Sequence, residues 1–314
     1  MSAELITRLV SVTYLSELTV SLELRALDGS DLPSFTAGAH VNIRVNEHIS
    51  RSYSLINDQN ERHRYVIAVQ LESLGRGGSS FLHKQARVGM SFSISPPKND
   101  FKLEESAPFS MFFAGGIGIT PIRSMILRLE SLRKPWKLLY AVRSRNQAVF
   151  LPDLIAFGDH VDLHASAERD GRADIAAIIA AQPAGTHFYC CGPKPMLHAF
   201  GEATALQPAS QVHSEQFSAN EAASVDGGFF LNLARTGRTI QVLPGETVLD
   251  ALLKAGLSVP YSCQQGVCGT CETEVLGGTP DHRDSVLSDA ERASNKSIII
   301  CCSGALSDHL VLDL

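Results

Sequence analysis

Short alternating runs of apolar and polar residues fill the chain up to about residue 100. Ser21-Leu22-Glu23-Leu24, Val41-Asn42-Ile43-Arg44-Val45 and Tyr65-Val66-Ile67-Ala68-Val69 carry the period of two that marks half-buried strands. Leu27-Asp28-Gly29-Ser30 and Ile56-Asn57-Asp58 supply turns between them. Many short strands at such spacing predict a small antiparallel barrel, interrupted by one short helix over residues 78–86. At Phe109 the pattern changes. Ser110-Met111-Phe112-Phe113-Ala114 is continuously apolar, as in a strand buried on both faces. Ile122, Met125, Ile126 and Leu129 follow at the spacing of a buried helical stripe, with Thr120 suited to the N-cap and Pro121 to the first helical position. Further strands over 137–142, 161–165 and 187–191, with helices over 174–182 and 195–206, give the alternation of a doubly wound parallel sheet. A polar stretch over 217–228 reads as a linker. Beyond it come a hairpin over 229–234 and 239–243 and a helix over 247–255. No internal repeat is visible.

Composition narrows the function. A chain of 314 residues suggests two or three domains, and 44% hydrophobic with 19% charged residues is ordinary for a globular protein. The net charge of −6 offers no basic footprint for nucleic acid. No apolar run approaches the roughly 20 residues needed to span a bilayer. The first residues lack the build of a signal peptide. A cytoplasmic protein is expected. Charge is uneven: residues 227–314 hold ten acids and six bases, net −4, and the rest carries −2.

All seven cysteines fall after residue 189. An odd, clustered set is a poor disulfide framework and points to metal or redox chemistry. Cys263, Cys268 and Cys271 are spaced C-x4-C-x2-C, with Cys301 and Cys302 thirty residues on. That is the ligand spacing of a plant-type [2Fe–2S] cluster, whose two irons take four thiolates. Gly266 and Gly269 let the backbone approach the sulfurs. The competing reading is a four-cysteine zinc site, but such sites more often pair two C-x2-C knuckles. After Ser297-Ile298-Ile299-Ile300, Cys301 and Cys302 are expected on opposite faces of a strand, and spacing does not choose between them.

The segments Cys263–Cys271, Pro280-Asp281-His282-Arg283-Asp284 and Leu310-Val311-Leu312-Asp313-Leu314 resemble the ferredoxin domain of the phthalate dioxygenase reductase family, which includes the reductases of vanillate O-demethylase and related Rieske oxygenases. The resemblance spans the whole chain and implies a flavin-binding β-barrel over 1–102, an NAD-binding α/β domain over 103–217, a linker over 218–228 and a β-grasp ferredoxin domain over 229–314. In the family the fourth ligand is followed by one variable residue and then Ser-x-Ala. Cys302-Ser303-Gly304-Ala305 fits, so the resemblance selects Cys301 and leaves Cys302 as a packing thiol.

Arg51-Ser52-Tyr53-Ser54 matches the R-x-Y-S signature of ferredoxin-reductase-like flavoproteins. Arg51 suits a flavin phosphate through its planar fork; Tyr53 offers a ring and hydroxyl, and Ser54 a hydrogen bond near N5. Gly75-Arg76-Gly77-Gly78-Ser79 before a helix makes a backbone anion site, part of the family's FMN-phosphate pocket. Ala68 and Val69 are expected against the ring, and Phe217 is the candidate aromatic near it. The domain order implies FMN rather than FAD. Gly115, Gly116, Gly118 and Thr120, at the turn after the buried strand, suit the pyrophosphate of a dinucleotide. Cys191-Gly192-Pro193 ends a later strand where the superfamily binds nicotinamide, with the thiol near C4; Cys190 reads as a core residue. Arg143-Ser144-Arg145 faces the adenine ribose, where family habit favours NADH and the arginines suit a 2′-phosphate.

The resemblance implies hydride transfer from NADH to FMN, then single electrons through the cluster to a Rieske non-haem iron oxygenase, with the chain a monomer. The alternatives are a reductase for a cytochrome P450 or another hydroxylase, and a non-catalytic electron carrier. An acidic surface around Glu272, Glu274, Asp281 and Asp284 would suit a positively charged partner.

Overall fold

The structure, a computed structural model, describes residues 4–46, 49–72, 77–169, 171–217 and 223–314. It divides into two compact units, Met1–Gln216 and Phe217–Leu314.

In the first unit, the N-terminal alternation becomes six antiparallel strands: β1 (Leu5–Ser16), β2 (Thr19–Ala26), β3 (His40–Arg44), β4 (Ser50–Ser54), β5 (Tyr65–Gln70) and β6 (Ser91–Ile94). Their order is β4-β3-β6-β1-β2-β5. A bridge from Leu55, just past β4, to Ile67 on β5 joins the two ends of that order and closes the barrel. Leu22, Leu24, Val41, Ile43, Tyr65 and Ile67 fill its interior, each such side chain contributing roughly 1.5–3 kcal/mol by leaving water. Between the two leucines Glu23 turns outward and pairs with Arg64 at 3.0 Å. The short helix is α1 (Gly78–Lys84), two residues shorter than its pattern suggested.

The unit continues as β7 (Phe109–Gly115), α2 (Ile119–Leu132), β8 (Trp136–Val142), α3 (Leu151–Ile155), β9 (Val161–Ala165), α4 (Ile175–Ala180), β10 (Thr186–Cys191), α5 (Lys194–Thr204) and β11 (Val212–Glu215). All five strands are parallel in the order β11-β10-β7-β8-β9. β7 is central and buried on both faces, which explains its unbroken apolar run. From β7 the chain winds out through β8 and β9, then returns to β10 and β11 on the other side. The order therefore reverses between β7 and β10, and such sheets bind ligands beyond the carboxyl ends of the strands at that point. One detail differs from expectation. Thr120 is not the N-cap of α2; Gly118 is, because a 3-10 turn over Gly116–Gly118 runs straight into the helix. The Thr120 hydroxyl donates to the Ile117 carbonyl at 2.9 Å instead.

The second unit contains β12 (Phe229–Leu233), β13 (Thr239–Val242), α6 (Val248–Lys254), β14 (Glu272–Gly277), β15 (Pro280–Asp281), α7 (Asp289–Ser294), β16 (Ser297–Ile299), β17 (Gly304–Ala305) and β18 (His309–Leu312). Five strands pair in the order β13-β12-β18-β14-β16, with β12 and β18 parallel. Val248, Leu249 and Leu252 of α6 pack on Leu231, Ile299 and Leu310 of the sheet, the expected β-grasp. Of the stretch read as a linker, residues 218–222 lie outside the described residues. The part beyond them is tied down: Ser224 N–H donates to the Cys302 carbonyl at 2.7 Å and Gly228 N–H to that of Val242 at 2.8 Å. Among the described residues no helix is long and apolar enough to cross a membrane.

Candidate cofactor sites

The cysteine loop joins α6 to β14. Gln264, Gly266 and Gly269 all take positive φ, so the loop coils tightly, and only the glycines do so without strain. The coil turns N–H groups inward, and Gln265 N–H donates to the Cys263 sulfur at 3.3 Å. The Cys263 thiol is within hydrogen-bonding reach of Cys268 and Cys301. Cys271 precedes β14, whose pairing with β16 sets the Cys271 carbonyl against Ile300 N–H at 3.5 Å, beside Cys301. Cys263, Cys271, Cys301 and Cys302 are buried, and Cys268 is half-buried. Among the described residues no three His, Cys, Asp or Glu side chains stand at the spacing a single metal ion asks for, whereas a binuclear cluster divides its four thiolates between two irons. Soft sulfur donors with inward N–H groups suit an iron–sulfur cluster.

The cysteine pair itself departs from expectation. β16 ends at Ile299, and Cys301 and Cys302 lie in a turn rather than on a strand. Leu249 N–H claims the Ile300 carbonyl at 2.9 Å, while Cys302 and Ser303 N–H fold back on that of Ile299 at 3.3 and 3.1 Å. The Cys302 sulfur faces the Ile299 carbonyl at 3.6 Å and touches the Cys301 thiol, and this contact and burial push it up.

In the barrel, Arg51 is 8% exposed, and its guanidinium donates to its neighbour's carbonyl, Ser50, at 2.7 Å. A Cβ on Gly78 would stand 2.7 Å from Arg51 Cγ, so this glycine admits the arginine to the start of α1. Gly77 caps that helix at φ 88°, and the Ser79 hydroxyl accepts the Glu72 N–H at 3.0 Å. Gly75 and Arg76 lie outside the described residues. Ser52 and Asn42 hydrogen-bond across the β3–β4 pair. Burial pushes Tyr53 up to about 12 against the opposing pull of Arg51, which keeps its hydroxyl protonated. Ser54 is buried opposite His40. On β5, Ala68 and Val69 are buried, and the Val69 carbonyl is held by the His83 ring at 2.7 Å.

At the sheet's switch point two loops interlock. A Cβ on Gly118 would lie 2.1 Å from the Cys191 carbonyl oxygen, and one on Gly115 would lie 2.4 Å from Pro193 Cδ. The two glycine-rich motifs thus form one floor. Cys191 is fully buried, and desolvation, with Glu215 and Cys190 adding, holds its thiol far above the usual range. Burial pushes Cys190 up to about 12, as for the core residue it was read to be. After β8, Arg143 is exposed, whereas Arg145 reaches Glu168 at 3.6 Å. A cleft of about 450 Å³ is lined by Asn99, Asp100, Lys102, Leu103, Glu104 and His213. None of the motif residues lines it.

Residues 231–306 match the family of 2Fe-2S iron–sulfur cluster binding domains. Over 307 residues the chain is 52% identical to phenoxybenzoate dioxygenase subunit beta of Ectopseudomonas oleovorans, covering 98% of this chain and 96% of that one. Phthalate dioxygenase reductase, described as a modular structure for electron transfer from pyridine nucleotides to [2Fe-2S], superposes with a TM-score of 0.90 at 34% identity, covering 99% and 98% of the two chains. The chain belongs to the phthalate dioxygenase reductase family. It also matches 41% of an intact type IV self-sufficient cytochrome P450 monooxygenase, at 35% identity over 99% of its own length and a TM-score of 0.74. Family membership makes the cofactor of this domain a [2Fe–2S] cluster rather than zinc.

In this family member two shielded carboxyls differ from what the sequence suggested: Glu215 was not singled out, and Asp284 was expected on the surface. Glu215 ends β11 opposite Cys191. Its Oε2 is shielded and has no hydrogen-bond partner, although the residue keeps some exposure. Desolvation, helped by Asp100, pushes it up to about 8. A carboxyl beside two strand-end cysteines at a switch point was the available signal. Asp284, expected on an acidic surface, is 1% exposed instead. Its Oδ2 accepts the N–H groups of Val286 at 2.9 Å and Leu287 at 2.8 Å.

Proposed function

We propose that this reductase takes hydride from NADH and delivers single electrons to the Rieske non-haem iron centre of a separate oxygenase. Bound FMN supplies acceptance of a hydride and its release as single electrons, and the cluster carries those electrons onward. The observation that carries this reading is the presence in one chain of the interlocked switch-point loops and the coiled three-cysteine loop with Cys301 beside it. Arg51, Gly77, Gly78 and Ser79 hold the FMN phosphate. Ser52, Tyr53, Ser54, Ala68 and Val69 border the flavin, with Ser54 hydrogen-bonding near N5. Gly115, Gly116, Gly118 and Thr120 hold the pyrophosphate, and Arg143 the adenine ribose. Cys191, Gly192 and Pro193 orient nicotinamide; a neutral, buried thiol there excludes water without competing as a nucleophile. Cys263, Cys268, Cys271 and Cys301 hold the irons. The domains are 1–102, 103–217 and 229–314, in a cytoplasmic monomer.

NADH is the donor in this reading by family habit, with Arg145 leaning on Glu168 at 3.6 Å and both Arg143 and Arg145 exposed. Cytochrome P450 reduction stands as a second reading, supported by the match to part of the self-sufficient cytochrome P450 monooxygenase. The test is an anaerobic titration of the purified protein with NADH and NADPH, followed by reconstitution with candidate oxygenases and P450s. Bleaching of both flavin and iron–sulfur bands by NADH, then turnover with a Rieske oxygenase, is the expected result. A higher kcat/KM with NADPH would reverse the donor, and turnover only with a P450 would reverse the acceptor.

A further inference from the structure

The segment from Pro280 to Leu287 clips both halves of the cysteine site. β15 pairs with β17, just beyond Cys301 and Cys302. Arg283 N–H donates to the Ser303 hydroxyl at 3.1 Å. Ser285 N–H donates to the carbonyl of Gly266, inside the coil, at 2.9 Å. A Cβ on Gly269 would meet Val286 Cγ1 at 3.2 Å. Asp284 lies at the centre of this clip, its side chain wholly shielded. Arg292 of α7 reaches in from the rim: its Nη2 donates to the Asp284 carbonyl at 2.5 Å and stands 3.7 Å from Oδ2.

This is more charge than holding a turn requires. Two backbone N–H groups already satisfy Oδ2, while among the described residues neither Oδ1, which stands 3.9 Å from His282 Nδ1, nor Arg292 Nε has a hydrogen bond. An amide would serve the turn as well at less desolvation cost. What an ionised pair adds is a field. Charges in a poorly polarisable interior act strongly on a neighbouring redox centre, and the surroundings of a cluster set its potential.

We propose that Asp284 and Arg292 are positioning residues forming a mutually compensating charge pair that poises the reduction potential of the cluster. The proposal rests on the [2Fe–2S] reading of Cys263, Cys268, Cys271 and Cys301. Reduction adds an electron, so a neighbouring carboxylate opposes it and a guanidinium favours it. Together they nearly cancel; removing either leaves the other uncompensated.

The test is a redox titration of the purified full-length protein, followed by the electron paramagnetic resonance signal of the reduced cluster. Asp284→Asn is expected to raise the midpoint potential and Arg292→Gln to lower it, each by roughly tenfold in the reduction equilibrium, about 59 mV for a one-electron couple. Arg292→Lys keeps the charge and stays near wild type, and the double variant returns towards it. Shifts of the same sign in the two single variants, or no shift in either, overturn the proposal. If Asp284→Asn does not hold iron, Arg292→Gln against Arg292→Lys still decides: lowered only in Gln supports the pair, and equal values overturn it. Wild-type protein with no iron and no signal would instead overturn the cluster reading itself.

Discussion

A hydroxyl in place of a thiol reports which sulfur binds iron. Cys301 lies in reach of Cys263, whereas the Cys302 sulfur faces the Ile299 carbonyl. Cys301→Ser should therefore lose or strongly perturb the cluster while flavin reduction by NADH survives. Cys302→Ser should keep iron and the visible spectrum at a small stability cost, because the Ile299 carbonyl that faces the sulfur can accept the new hydroxyl. Iron content and spectra of the two variants decide, and a reversed pattern would reassign the ligand. For the flavin, in the role proposed for Arg51, Arg51→Ala would remove a charge-assisted phosphate contact worth about 1.5–3 kcal/mol. It should weaken FMN binding roughly 10- to 150-fold with the cluster spectrum intact; dialysis against flavin-free buffer measures it. Glu215 gives a pH signature. Its folded-state value of about 8 lies above the ordinary 4.5, so between these values the folded protein keeps a proton that the unfolded chain has released. Stability must fall as pH rises through that window and level off above it. Glu215→Gln should then gain little near pH 5 and on the order of 1–3 kcal/mol at pH 8. Thermal unfolding from pH 5 to 9 checks it, and a gain independent of pH would sink the explanation.

At the scale of elements, the switch point is where one methyl group matters most. No rotamer change relieves a Cβ at Gly118, because the obstacle is the backbone carbonyl of Cys191. Gly118→Ala should push the two loops apart, raise KM for NADH at least tenfold, and leave flavin and cluster content unchanged. Steady-state kinetics with a flavin-level acceptor tests this; an unaltered KM would mean that the loops do not hold the nucleotide. The switch point was legible because a buried parallel strand needs an unbroken apolar run and its turn needs glycine. The barrel was legible through its period of two. What stayed hidden was set by pairing between distant segments. Ser297–Ile300 reads as a strand running into Cys301, yet Leu249 captures the Ile300 carbonyl and the chain turns. Thr120 has the chemistry of a cap, but the preceding 3-10 turn moves the cap to Gly118. Asp284 sits in a polar stretch that looks solvated, yet the N–H groups of Val286 and Leu287, the His282 ring and Arg292 from α7 surround its buried carboxylate. That helix went unnoticed although Ser288-Asp289-Ala290-Glu291 is a capping box, formed in full by the Ser288 and Glu291 side chains.

For the molecule as a whole, charge is concentrated where electrons leave: residues 227–314 carry net −4 of the total −6. The available acidic surface is smaller than the sequence suggests. Asp284 is buried, and Asp281 is neutralised by Arg283 at 2.8 Å. Glu272 and Glu274 remain exposed on β14, as do Asp289 and Glu291 on α7. Exposed charges of this kind contribute little to folding but steer an oppositely charged partner, and they are screened beyond about 8–10 Å at physiological salt. Electron delivery to a protein acceptor should therefore slow as salt rises, mainly through association. NADH oxidation with a small artificial acceptor that draws electrons from the flavin bypasses that encounter and should change far less. Glu272→Gln combined with Glu274→Gln should flatten the salt dependence of the protein reaction while leaving the artificial one alone. Measuring both reactions across the same salt series separates steering from general effects of salt on the enzyme. If the two curves coincide, or if the double substitution leaves the slope unchanged, these glutamates do not steer the partner and the acidity of the segment is that of an ordinary solvated face.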